Sequence, residues 1–192
     1  MDRLVVLTVS TRPNRVGSTI ADWFTGVARQ HGGFDVQPVD LAEVNLPLLD
    51  EPLHPSARDY QHEHTRRWSA IIEQADALAL VMPEYNFSFS APLKNALDAL
   101  YHEWAYLSVG FVCYGGMSSG VRAVEAIKPV LTTLRMVPAA STVPVPFRKR
   151  MDADGVLHPD ELMAEAATDL LDELLPLTAA LRQLRRPAEV TV

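Results

Sequence analysis

Five strand-length apolar runs, Leu4 to Val9, Phe34 to Val39, Asp76 to Met82, Val109 to Tyr114 and Val137 to Val143, alternate with segments whose apolar residues recur at helical spacing. That alternation constrains the fold more than any other feature, because strands separated by helices pair in parallel and leave helices on both faces of the sheet. The third run is apolar almost throughout, as a strand covered on both faces must be. The expected fold is therefore an α/β doubly wound sheet of five parallel strands. Helices are expected around Ile20 to Ala28 with Ser18 as N-cap, over Ala57 to Gln74, over Ala91 to Tyr101 with Pro92 in the first turn, over Val121 to Leu134, and over Asp160 to Leu184 with a bend or break at Pro176. Ligands of such sheets bind beyond the carboxyl ends of the strands, near the point where strand order reverses. This directs attention to three loops: Ser10 to Gly17, Pro83 to Ser90, and Gly115 to Gly120.

The 192 residues suit one domain spanning 1–192, with no repeat or linker dividing it. Apolar residues at 48% and charged residues at 21% are globular composition. A formal charge of −7 argues against a general nucleic-acid binder, and the triplet Arg148, Lys149, Arg150 reads as a solvated loop. The apolar run Ala75 to Met82 is too short to span a bilayer and the first residues lack a signal-peptide pattern, so a cytoplasmic protein is expected. Cys113, the single cysteine, sits among Val109, Phe111 and Val112 and reads as a buried, inert thiol. The histidines are scattered, and His62 and His64, two apart on an expected helix, point in different directions, which disfavours metal catalysis.

The first loop, VSTRPNRVGST, sets hydroxyls at Ser10, Thr11, Ser18 and Thr19 and guanidinium groups at Arg12 and Arg15 before a helix, where free amides and the helix dipole favour a phosphate. Its plain alternative is that Ser18 caps the helix and the arginines are solvated. The loop has neither the Gly-spaced lysine of a triphosphate cradle nor the dinucleotide fingerprint. The third loop, YGGMSSG, lets backbone amides approach a flat ligand edge, or is simply a strand-to-helix turn capped by Ser118 or Ser119. The second, PEYNFSFS, is the richest. Pro83 fixes a dihedral and leaves the following amides as donors, Tyr85 offers a flat face and Asn86 an amide, which together suit a heteroaromatic ring. Glu84 is either a general acid or base, or a carboxylate with surface or inter-subunit work. Phe87 and Phe89 call for a ligand or partner to cover them.

With these motifs in this order, PEYNFSFSAPLKNALD resembles the signature of the NADPH-dependent FMN reductase family, VSTRPNRVGSTIADW its phosphate loop, and YGGMSSGVRA its third loop. The likeness runs from the first strand to about Pro146. It departs at Val9, where a glycine is common, and at Ser119, where the third loop often has more glycine. The resemblance implies a flavodoxin-like sheet of order 2-1-3-4-5. It also implies FMN held at its phosphate by Ser10, Arg12, Ser18 and Thr19, at its ring by Pro83, Glu84, Tyr85 and Asn86, and at its pyrimidine end by Gly115, Gly116 and Ser118. NADPH or NADH would be the donor. The family's assembly into homodimers or tetramers would place Lys94, Asp98, Phe87 and Phe89 toward a partner copy. Two functions then compete: an enzyme passing hydride from NAD(P)H through FMN to a small acceptor, such as a quinone, azo compound, free flavin or metal ion, and a flavodoxin-type carrier without pyridine-nucleotide activity. A module of the same fold that binds no nucleotide is a third reading.

Overall fold

A computed structural model describes residues 1–185, so the last seven positions of the expected domain lie outside the described residues. Five strands, β1 (Arg3–Thr8), β2 (Asp35–Asp40), β3 (Ala77–Pro83), β4 (Ser108–Tyr114) and β5 (Val137–Val145), form one parallel sheet in the order β2-β1-β3-β4-β5. Alternation along the strands feeds two cores. Leu78, Leu80 and Met82 of β3 face Trp68, Leu93, Leu97 and Ile127 on α3 (Glu63–Glu73), α4 (Ala91–Asp98) and α5 (Val121–Thr133). Ala77, Ala79 and Val81 face Ile20, Phe24, Leu170 and Leu174 on α1 (Gly17–His31) and α7 (Glu161–Arg185). The second face packs closely at β4: a Cβ on Gly110 would stand 2.9 Å from Leu170 and 3.0 Å from Leu174. On the first, fully buried Trp68 and Trp104 meet edge to face at 6.0 Å, and their indole N–H groups donate to the carbonyls of Ala96 at 2.9 Å and Leu97 at 3.0 Å. Each ring contributes roughly 4 to 6 kcal/mol of gross apolar burial, an upper bound, while its hydrogen bond removes the penalty for a dry donor.

Strand order reverses at β1, whose neighbours are β2 and β3. The chain leaves β1 for α1 on one face and leaves β3 for α4 on the other, so the loops between them part and open a crevice.

Several local expectations change. Helix α1 begins at Gly17 behind Val16, so Ser18 and Thr19 lie inside its first turn. Ser18 caps nothing; its Oγ donates back to the Arg15 carbonyl at 3.3 Å. Helix α3 begins at Glu63 rather than Ala57, because Pro55–Ala57 is a single 3₁₀ turn ended by Arg58 at φ 54°, a left-handed residue that no helix continues. The Glu51 carboxylate then accepts the amides of Gln61 at 2.7 Å and His62 at 3.1 Å, supplying from a distance what a local cap would have given. His62 therefore precedes the helix, and its ring stacks on that of His64 at 5.2 Å instead of pointing away. Helix α4 ends at Asp98, and β5 extends to Val145. Helix α7 continues unbroken through Pro176, since Leu170, Leu171, Leu174 and Thr178 are buried on either side of it. Beyond the proline, the Arg185 guanidinium donates to the carbonyls of Ile72, Ala75, Glu103 and Ala105 at 2.8 to 3.0 Å, which pins the far end. Two short helices, α2 (Leu41–Val44) and α6 (Phe147–Arg150), have no counterpart in the sequence reading.

Candidate functional site

A cavity of about 390 Å³ lies beyond the carboxyl ends of β1, β3 and β4, within the range of small-molecule sites. Its first wall is the loop from Ser10 to Val16. The amides at the start of α1 have no intrahelical acceptor, which makes this a ready anion seat. Arg12 lines the cavity, as does Arg15, whose guanidinium pairs with Asp40 at the end of β2 while its Nε is buried without a hydrogen-bond partner. Gly17 is required by its neighbour: a Cβ there would lie 2.4 Å from the Tyr114 hydroxyl oxygen. That hydroxyl is buried, belongs to a residue that lines the cavity with Ser10, and meets full hydrogen-bond geometry with no described residue. Burial pushes the phenol above its ordinary range, with the nearby Ser10 hydroxyl and the Arg12 and Arg15 charges opposing the shift. It is thus a neutral O–H whose polar neighbour, the Ser10 hydroxyl, interacts with it short of full hydrogen-bond geometry.

The second wall is Pro83, Glu84 and Tyr85. Two amides expected to be free donors are already used: Glu84 N–H bonds the Tyr114 carbonyl at 2.8 Å, and Tyr85 N–H bonds the Ser88 carbonyl at 2.9 Å. The latter bond and its reciprocal close a two-residue turn over Asn86 (φ 50°) and Phe87 (φ 68°), both left-handed. The turn carries Asn86 to an exposed tip, off the cavity lining. Phe87 is 68% exposed and lies under the Arg122 guanidinium at 4.0 Å. Phe89, expected to be uncovered, instead packs against the core beneath α3 and α4.

Gly115 and Gly116 form the third wall. Ser118 stays off the lining and donates its hydroxyl to Glu84 Oε2 at 2.6 Å, an oxygen that also accepts the Arg122 amide at 3.1 Å; Oε1 receives Arg122 Nη1 at 3.4 Å. Glu84 is therefore the cap of α5, in place of Ser118 or Ser119, and a tie between the second and third loops. The loop fits this closely because Gly120 takes φ 95°, where a Cβ would meet the Tyr114 nitrogen at 2.4 Å.

The structure thus brings Ser10, Arg12, Pro83, Glu84, Tyr85, Gly115 and Gly116 onto one cavity, and holds Ser18, Thr19, Asn86 and Ser118 just outside its lining. It adds Arg15, Val16, Tyr114, Phe147 and Arg148. Arg15 carried a legible signal, a second cation in a loop already suspected of binding phosphate. Tyr114 read only as a strand end, and Phe147 and Arg148 gave no local sign.

An anion seat at a helix N-terminus, continuous with a cleft at the reversal of a parallel sheet, defines a mononucleotide-binding doubly wound α/β protein of the flavodoxin-like class. Residues 3–149 match the sequence pattern of the family described as NADPH-dependent FMN reductase, and the chain belongs to that family. It is 29% identical to an NAD(P)H-dependent FMN reductase of Nectria sp. over 98% of this chain and the whole of the relative. It is 35% identical to another from Schizosaccharomyces pombe over 82% of this chain and 79% of that one. In fold it is similar to a flavoenzyme NAD(P)H:(acceptor) oxidoreductase from Paracoccus denitrificans, with a TM-score of 0.73 at 20% identity, covering 94% and 98% of the two chains. FMN and a reduced nicotinamide are the cofactor and donor of this family, and the chain is an oxidoreductase of that kind.

Proposed function

We propose that the chain is a single-domain FMN-dependent NAD(P)H oxidoreductase that binds the flavin in the cavity between α1 and the loops after β3 and β4 and reduces small acceptors such as quinones, azo compounds, free flavin or oxidised metal ions. The observation that carries this reading is a cavity at the start of α1 lined by Ser10, Arg12, Arg15 and Tyr114, in which the buried Tyr114 Oη and Arg15 Nε reach full hydrogen-bond geometry with no described residue. A phosphate-bearing ligand at the start of α1 would bring acceptors to the two residues that line this cavity.

Ser10, Arg12 and the first-turn backbone at Ser18 and Thr19 would take the phosphate, with Arg15 beside them. Pro83, Glu84, Tyr85 and Asn86 would seat the ring through backbone and ring face, and Gly115, Gly116 and Ser118 would shape its pyrimidine end. Bound FMN supplies the acceptance of hydride from the nicotinamide and the delivery of electrons to the acceptor. The side chains here orient and exclude water rather than cleave bonds. Glu84, engaged by Ser118 and Arg122, holds the two ring loops together instead of presenting a free carboxylate. Assembly into homodimers or tetramers through α4 and the exposed Phe87 belongs to the same proposal. No helix among the described residues is long and apolar enough to cross a membrane, which accords with a cytoplasmic setting as part of this reading.

The decisive experiment is anaerobic mixing of the purified, FMN-loaded protein with NADPH and separately with NADH. Bleaching of the flavin, followed by its return on adding a quinone, is expected. Protein that takes up no FMN sinks the proposal, and flavin that binds but is not bleached by either coenzyme leaves an electron carrier in its place.

A further inference from the structure

Helix α6 carries the chain from β5 back toward the cavity. Its position is fixed from both ends. Phe147 meets the Tyr114 ring edge-on at 6.1 Å, Met151 N–H bonds the Phe147 carbonyl at 2.8 Å, His158 N–H bonds the Arg150 carbonyl at 2.6 Å, and Arg150 pairs with Asp160. Between these anchors Arg148 lines the cavity, and its guanidinium has neither ion-pair nor hydrogen-bond partner among the described residues. Arg148 is solvent-exposed, and on this held backbone its guanidinium is available to an anion in the cavity.

The charges on the cavity wall identify that ligand's class. Four charged residues line it: Arg12, Arg15, Arg148 and Glu84. Arg15 pairs with Asp40 and Glu84 with Arg122, which leaves Arg12 and Arg148, both solvent-exposed, as the two lining cations without an acidic partner among the described residues. A phosphate monoester carries about −1.5 to −2 near neutrality and three acceptor oxygens, so it engages both cations at once, where a carboxylate offers two oxygens and one charge. Tyr114, 5% exposed and with its hydroxyl in full hydrogen-bond geometry with no described residue, stands between the Ser10 wall and the Phe147 wall as an additional donor.

We infer that Arg148 is a phosphate-monoester recognition residue, closing the anion site from the β5 side opposite Arg12. The inference rests on the FMN reading above, and two monoesters are then available: the 5′-phosphate of FMN and the 2′-phosphate of NADPH.

The test uses the full chain with flavin removed for titration and restored for turnover. In Arg148→Ala the dissociation constant for FMN rises about tenfold, about 1.4 kcal/mol, while that for riboflavin stays at the wild-type value, if the flavin phosphate is the ligand. If the coenzyme phosphate is the ligand, FMN affinity holds and KM for NADPH rises about tenfold while KM for NADH does not. The first pattern supports the inference, with Arg148→Lys restoring part of the loss; the second keeps Arg148 as a monoester-binding residue but overturns its closing of the seat beside Arg12, which the flavin phosphate already fills. Unchanged FMN affinity together with an unchanged NADPH-to-NADH ratio overturns it, as does an equal loss in Lys149→Ala, which removes a neighbouring cation that does not line the cavity. Wild-type protein that binds no FMN refutes the function itself, so the two failures are distinct.

Discussion

Replacing Glu84 separates two roles that its position allows, a tie between loops and a proton-transfer group. Alanine removes the acceptor of the Ser118 hydroxyl at 2.6 Å and of the Arg122 amide at 3.1 Å. Hydrogen bonds to a charged group lie at the low end near 1.5 kcal/mol each in a half-buried setting, about 3 kcal/mol together. The Arg122 side chain is 44% exposed, so its ion pair adds less than about 1 kcal/mol. For a chain of this size the loss lowers Tm by about 6 to 12 °C. It also frees the Gly115 to Gly120 loop, so flavin binding must restore order there, and affinity falls by roughly tenfold to a hundredfold. FMN and riboflavin should weaken by the same factor, because the tie supports the ring end and not the phosphate. The amide variant Glu84→Gln is the sharper one: a single oxygen, Oε2, serves both short bonds, so the substitution keeps them and gives up only the exposed pair. Titration by flavin fluorescence and steady-state NADPH turnover should place Glu84→Gln within about threefold of wild type. A loss of roughly a hundredfold in kcat with flavin still bound would refute the reasoning and make Glu84 an acid or base.

Two further outcomes follow from the structure. Burial raises the Cys113 thiol to about 12 from an ordinary 9.0, and raises the Tyr60 and Tyr114 phenols above their usual range, with the Glu103 carboxylate adding to the effect at Tyr60. All three hold their protons more tightly folded than unfolded, so their stabilisation is complete below about pH 9 and is lost as pH climbs toward the folded values. Urea midpoints should fall steadily from about pH 9 to pH 11, and a flat profile would contradict the burial argument. Assembly is checked by light scattering, which should give two or four copies for the wild type and a shift toward one copy for Phe87→Asp; a wild-type mass of one chain removes that part of the proposal.

What the sequence discloses and what it hides divide by the distance over which each feature is determined. β3 and β4 are legible because every residue of each is buried, so the apolar run is the strand itself. The three cavity loops follow from those strands, since a parallel sheet puts all strand ends of one kind on one side. Helix starts depend on partners far along the chain and are not legible locally: Glu51 closes the chain ahead of α3, and Glu84 caps α5 from 38 positions away. Phe87 shows the same limit in reverse, because its left-handed backbone comes from the turn bonds between Tyr85 and Ser88, and a bulky residue gives no sign of it. Arg148 is the extreme case. Within its own sequence it is one of three consecutive cations and reads as solvated surface. It becomes part of the site only because β5 pairs with β4 in register, Val145 beside Tyr114, so that Phe147 lands on the Tyr114 ring and Arg148 follows it to the cavity. The same tyrosine forces glycine at position 17, and its hydroxyl sits beside that of Ser10 on the cavity wall. Tyr114 therefore joins the first loop, which the sequence marks as an anion seat, to α6, which it does not mark at all.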